Sequence, residues 1–205
     1  MGVKMKKIVV FASGRGSNFS AIVDAVKRRK LAVHVALLIC DNPQAGVLER
    51  AHKAGVPVAL IERSNFASKK EFEAKMIECV DACGADLLVL AGFMRLFSAD
   101  FVSRYRGKII NIHPSLLPAF KGTHAIHDAF IYGAQVTGVT VHFVDEELDH
   151  GPIILQGSVE VRAKDTEDSL EKRIHALEHT LYPQAIKLFC AGKLAVQGRV
   201  VRINP

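Results

Sequence analysis

The stretch Ile8-Val-Val-Phe-Ala12-Ser-Gly-Arg-Gly-Ser-Asn18 decides the fold. Its first five residues are apolar without a break and read as a buried strand. The next six carry two glycines. Phe19 to Lys30 then places Ile22, Val23 and Val26 on one helical face. The same alternation continues outward. Val33 to Cys40 reads as a strand closed by Asp41-Asn-Pro43, and the helix Ala45 to Ala54 ends at Gly55, a C-terminal glycine signal. Val58 to Ile61, a helix Lys70 to Cys83, Asp86 to Ala91 and Lys108 to Ile112 extend the series. Strands separated by helices argue for parallel pairing through right-handed crossovers. Ligands of such sheets collect beyond the carboxyl ends of the strands, here the loops after Ala12, Ala91 and Ile112.

Past Ala125 the pattern changes. A short helix, Ala125 to Tyr132, precedes Thr137 to Val144, where Val139, Val141 and Phe143 alternate, and Ile153 to Val161 suits an antiparallel partner. A last long helix begins near Thr166, a plausible N-cap with Glu167 and Asp168 in its first turn and Leu170, Ile174, Leu177 and Leu181 as its stripe. Pro183 is expected to kink or interrupt it. The expected fold is α/β: a Rossmann-like open, mostly parallel twisted sheet with helices on both faces and an antiparallel extension in the C-terminal part. No repeat or linker divides the chain, so residues 1–205 are read as a single domain.

Composition narrows the function classes. The 205 residues are 49% hydrophobic and 23% charged, ordinary for a soluble globular protein. The net charge of +6 is scattered, with only Lys27-Arg-Arg-Lys30 clustered, as cations at a helix C-terminus would be. A field of that sign suits a phosphorylated small molecule as well as a nucleic acid. Cys40, Cys79, Cys83 and Cys190 follow no metal or disulfide spacing. The basic start, Met1 to Lys7, lacks a signal peptide's apolar run, Gly2 lacks a myristoylation context, and no segment is long enough to span a membrane. The expectation is a reduced cytoplasmic protein.

Two segments carry the chemistry: Asn111-Ile-His-Pro-Ser-Leu-Leu-Pro118 and Glu147-Leu-Asp-His-Gly-Pro152. On an extended backbone Asn111 and His113, two apart, point the same way. An amide and a titratable imidazole then converge where a carbonyl can be polarised and a proton moved. Pro114 and Pro118 stiffen the loop, and Asp149 is a candidate orienting carboxylate for His113. In Ser13 to Asn18 the dinucleotide pattern lacks its third glycine, since Phe19 stands there, and no Walker ending follows. A monophosphate held by Gly16, Ser17 and Asn18 suits it better, with a plain turn as the alternative. Ala91-Gly-Phe-Met-Arg-Leu-Phe97 either plugs the core or builds an apolar slot for a flat ring, with Arg95 in a surface ion pair or at that slot. Of the nine histidines, His124 and His127 are three apart, but no strong companion ligand makes a metal site. His34, His52, His142 and His179 read as exposed or packed residues without a role.

Taken in order, Gly14 to Asn18, Ala91 to Arg95, Asn111 to Pro118, Glu147 to Asp149 and Glu178-His-Thr-Leu-Tyr-Pro183 resemble the phosphoribosylglycinamide formyltransferases, the folate-dependent enzymes of purine synthesis. The likeness runs from about Ile8 to Ile186. It implies two small-molecule substrates, phosphoribosylglycinamide and 10-formyltetrahydrofolate as cosubstrate, with no metal, nucleic acid or membrane. It also implies that Gly16, Ser17 and Asn18 hold the phosphate and Glu178 the ribose. Met94, Arg95, Leu96, Phe97 and Asn111 would receive the folate, with Lys69 near its tail, and Asn111, His113 and Asp149 would be catalytic. Two positions depart from the pattern: Lys121, where many members have proline, and His150, where a small residue is usual.

Methionyl-tRNA formyltransferases share the central block but normally add a C-terminal domain, and formyltetrahydrofolate hydrolases add an N-terminal one. With neither expected here, the ribonucleotide is the favoured acceptor. A non-catalytic folate- or nucleotide-binding module is the remaining alternative. Oligomeric state, a homodimer included, is open.

Overall fold

The computed structural model describes residues 5–204. Gly2 and the first four residues of the basic start, with the expectations attached to them, lie outside the described residues. The chain divides between Ile110 and Asn111 into two compact units.

The first unit holds β1 (Lys6–Phe11), α1 (Ser17–Lys27), β2 (Val33–Cys40), α2 (Val47–Ala54), β3 (Val58–Leu60), a 3-10 turn (Arg63–Asn65), α3 (Lys69–Cys83), β4 (Leu87–Leu90), α4 (Ala99–Arg104) and the start of β5 (Ile109–His113). Its strands run β3-β2-β1-β4, with parallel pairing of β3 with β2, β2 with β1 and β1 with β4. Ile8, Val9, Val10, Phe11, Leu87, Leu88 and Val89 are fully buried. Their unbroken apolar runs answer to a sheet covered on both faces, and α3 packs against β1 and β2. The strand order reverses between β1 and β4, so their following loops flank the crevice in which open α/β sheets bind ligands.

The second unit takes up the rest of β5 and adds α5 (Ala125–Tyr132), β6 (Val136–Phe143), β7 (Ile153–Glu160), α6 (Glu167–Cys190), β8 (Leu194–Gln197) and β9 (Val200–Ile203). Its order is β5-β6-β7-β9-β8, and the expected antiparallel extension is the β6–β7 pair. Across that pair Gly138 stands opposite Ser158 and Gly157 opposite Val139. A Cβ on Gly138 would lie 2.1 Å from the Gly157 carbonyl oxygen, so the close approach requires glycine. Among the described residues the strands of the first unit pair in parallel and those of the second are mixed, with helices packed on them, as expected of an α/β fold.

The long helix starts where Thr166 predicts: its hydroxyl accepts from the Ser169 N–H, and Ser169 Oγ accepts from the Thr166 N–H. Of the expected kink or interruption at Pro183, the interruption does not occur, and α6 runs on to Cys190. Leu170 and Ile174 before the proline, Tyr182 beside it, and Ala185 and Ile186 after it are all fully buried. Proline inside a helix costs about 3 kcal/mol, whereas exposing several large side chains costs about 1.5–3 kcal/mol each. Burial wins. The β8–β9 hairpin and α4 carry no sequence signal strong enough to be expected.

Candidate active site

In the second unit, β5 delivers Asn111 and His113 to one side of the strand, as their spacing requires. His113 is buried, and its Nε2–H donates to the Phe120 carbonyl at 2.7 Å. That acceptor fixes the tautomer, because a carbonyl accepts only from a protonated nitrogen. The other ring nitrogen, Nδ1, stands 3.4 Å from Asp149 Oδ2. The Gly122 N–H donates to the same oxygen at 2.9 Å. Imidazole and carboxylate, 36 residues apart in the chain, are thus juxtaposed in a buried setting.

Two of the positive-φ residues that are not glycine belong to this cluster, Phe120 at 50° and Asp149 at 47°. Such conformations are disfavoured for residues with a Cβ and tend to gather where function fixes the backbone. A polar layer beneath holds the loops. Thr140 Oγ1, on β6, donates to the Ser115 carbonyl at 2.7 Å and accepts from the Leu117 N–H and from Gln156 Nε2. Ser115 Oγ donates to the Ala119 carbonyl at 2.6 Å.

His142 corrects the expectation of a residue without a role. It is buried, its Nδ1–H donates to the Phe143 carbonyl, and its Nε2 accepts from Asn111 Nδ2 at 3.3 Å. The bond orients the Asn111 amide only while His142 is neutral. Burial depresses the pKa of His142 and outweighs the nearby Asp149 carboxylate, which pulls the other way. Its signal was a polar residue two positions after Thr140, inside a strand apolar on its alternate positions. His34 and His52 are exposed, and His179 is half-buried with its ring stacked on His175.

In the first unit, the loops after β1, β2 and β4 are stitched together. The Ser13 N–H donates to the Gly92 carbonyl, the Met94 N–H to Ser13 Oγ, and Asn42 Nδ2 to the Ser13 carbonyl. Gly16 caps α1 at φ 77°, and a Cβ there would sit 2.6 Å from Val47 Cγ2. Ser17 and Asn18 open the helix, whose first turn holds no acidic residue, so its N–H groups and dipole favour an anion. Phe97 stacks on Phe101 with centroids 4.0 Å apart, and Phe93 and Phe11 join the cluster. The phenylalanines of this loop therefore plug the core, whereas Met94 and Leu96 are exposed at 63% and 64%. Arg95 Nε donates to buried Asp41 Oδ2 at 2.7 Å. Lys69 opens α3, 3.8 Å from Glu73. Glu178 is buried in α6 and accepts from His175 Nδ1. Lys121 is exposed.

Among the described residues, no group of three or more His, Cys, Asp or Glu could hold a metal ion, and no helix is long and apolar enough to cross a membrane. His124 and His127, the pair three apart, include no metal cluster; His127 pairs with Glu167 instead.

Residues 6–186 match the family described as "Formyl transferase". The chain is 49% identical to the phosphoribosylglycinamide formyltransferase of Bacillus subtilis over 183 residues, 89% of this chain and 94% of that protein. It is 43% identical to the Escherichia coli protein of the same name over 91% of this chain and 88% of that one. The crystal structure of glycinamide ribonucleotide transformylase 1 from Symbiobacterium toebii superposes with a TM-score of 0.96 at 42% identity, covering 100% of this chain and 99% of that one.

Proposed function

The chain belongs to the formyl transferase family, and from that premise we infer its activity: it transfers the formyl group of 10-formyltetrahydrofolate to the primary amine of 5′-phosphoribosylglycinamide, giving formylglycinamide ribonucleotide and tetrahydrofolate in de novo purine biosynthesis. The observation that carries the reading is His113 held between the Phe120 carbonyl and the Asp149 carboxylate, with the Asn111 amide oriented beside it.

Each residue then has a task. The amine attacks the formyl carbon, and negative charge develops on the formyl oxygen. Asn111 keeps one amide hydrogen on His142 and offers the other to that oxygen. Protonated His113 supplies positive charge, with acceptors already in place at both ring nitrogens. A donor aimed at developing charge is worth about 3 kcal/mol, roughly a hundredfold in rate. Asp149, against the His113 ring, holds the water that relays the proton from the attacking amine to the departing folate nitrogen. The carbon–nitrogen bond to the acceptor forms as the one to the folate breaks, and the proton balance closes.

Gly16, Ser17 and Asn18 bind the phosphate, and Glu178 the ribose. Exposed Met94 and Leu96, with Arg95, Phe97 and Asn111, receive the folate, whose tail lies toward Lys69. The chain acts in the cytoplasm as one formyltransferase domain, on small molecules and not on nucleic acid; its scattered positive charge supports this.

The test is product formation. Purified protein with both substrates should release tetrahydrofolate and formylglycinamide ribonucleotide in equal amounts. Folate release without ribonucleotide would instead mark a hydrolase, and formylation of charged tRNA would mark the tRNA enzyme.

A further inference from the structure

His150 directly follows Asp149, and it is bonded on both sides. Its Nδ1–H donates to Asp145 Oδ2 at 2.7 Å. Arg199 Nη1 lies 2.7 Å from its Nε2 and 3.2 Å from its Nδ1, and the His150 carbonyl accepts from Arg199 Nη2 at 2.6 Å. Arg199 stands at the tip of the β8–β9 hairpin, 49 residues on in sequence. The hairpin is anchored where this matters: β9 pairs with β7 through Val200 and Ile153, the residues next to Arg199 and just after the Asp149 loop.

The rest of the loop is equally constrained. Asp145 Oδ1 accepts from the Glu147 N–H, and Phe143 and Pro152 close the base through a backbone bond. A Cβ on Gly151 would fall 1.9 Å from the Phe143 oxygen. Between these fixed points Asp149 keeps its left-handed backbone, at φ 47°.

We infer that Arg199 is a positioning residue for formyl transfer, clasping the Asp145–His150 segment through His150 so that the Asp149 carboxylate stays against His113. The inference rests on the reading of Asp149 as part of the reacting centre. The His150 ring sits among charged groups, Asp145, Glu147 at 4.0 Å and Arg199 itself, so one side chain ties the hairpin tip to the acidic loop.

The test is steady-state kinetics of the full chain carrying R199A, H150A, H150Q or D149N. R199A should lower kcat about tenfold, the size of effect a slight misplacement of a reacting group produces, with KM for both substrates little changed. H150A, which leaves the hairpin's strand pairing intact, should show a smaller loss of the same kind. Glutamine can accept from Arg199 and donate to Asp145, so H150Q should retain more kcat than H150A. Wild-type kcat in both R199A and H150A, or an H150Q no better than H150A, would overturn the inference. D149N separates the two levels. Full activity there removes the reading of the site itself, whereas an inactive D149N beside an unaffected R199A removes only the clasp.

Discussion

Asn111 depends on His142 for its orientation, and the dependence has a measurable size. His142→Leu deletes the acceptor of the Asn111 amide while keeping an apolar side chain in a buried position. Losing that orientation should lower kcat by about ten- to a hundredfold, bounded by the roughly 3 kcal/mol that one oxyanion donor is worth. Steady-state kinetics check it. At this scale Asn111 and His113 were legible because period-2 spacing puts them on one side of a strand whatever the rest of the fold does. Asp149 was legible only as a candidate carboxylate for His113, since nothing local says that two loops 36 residues apart will meet. His142 was not legible. A neutral buried imidazole in an apolar strand looks like a packing residue until its neighbour on the next strand is known.

Elements were easier to read than their partnerships. β2 and α5 fall on the expected residues, and the other expected strands and helices shift by at most a few residues. Long apolar runs and capping residues act locally, which explains that success. Thr166→Ala should lower stability by about 1 kcal/mol through loss of the α6 cap, seen as a fall of a few degrees in thermal midpoint. Gly16 is a harsher case. Alanine there must hold φ 77° and put its Cβ 2.6 Å from Val47 Cγ2 and 2.9 Å from Val47 Cα, so Gly16→Ala should cost about 2–4 kcal/mol. Denaturant unfolding measures that cost, and a raised KM for the ribonucleotide should accompany it. What stayed hidden was tertiary: α6 runs through Pro183 because of what its side chains bury, and β8 and β9 are short, largely exposed strands specified by pairing.

Across the whole chain, two imidazoles set opposing pH dependences. His142 has a depressed pKa from burial, so its contribution to stability is intact above its unfolded value, about 6.5, and is lost as the pH falls below it. His175 has a raised pKa, chiefly from its hydrogen bond to Glu178, with Glu171 adding to it. Its contribution is full below about 6.5 and fades as the pH rises through the folded value. Urea unfolding should therefore show His142→Gln losing less stability than wild type between about pH 7 and 5, and His175→Gln losing less between about pH 6 and 8. The measurement closest to the account's centre is the single-turnover rate of formyl transfer by His113→Ala with phosphoribosylglycinamide bound. The account predicts a fall of about a hundredfold or more with ribonucleotide affinity unchanged. Transfer at the wild-type rate would contradict it.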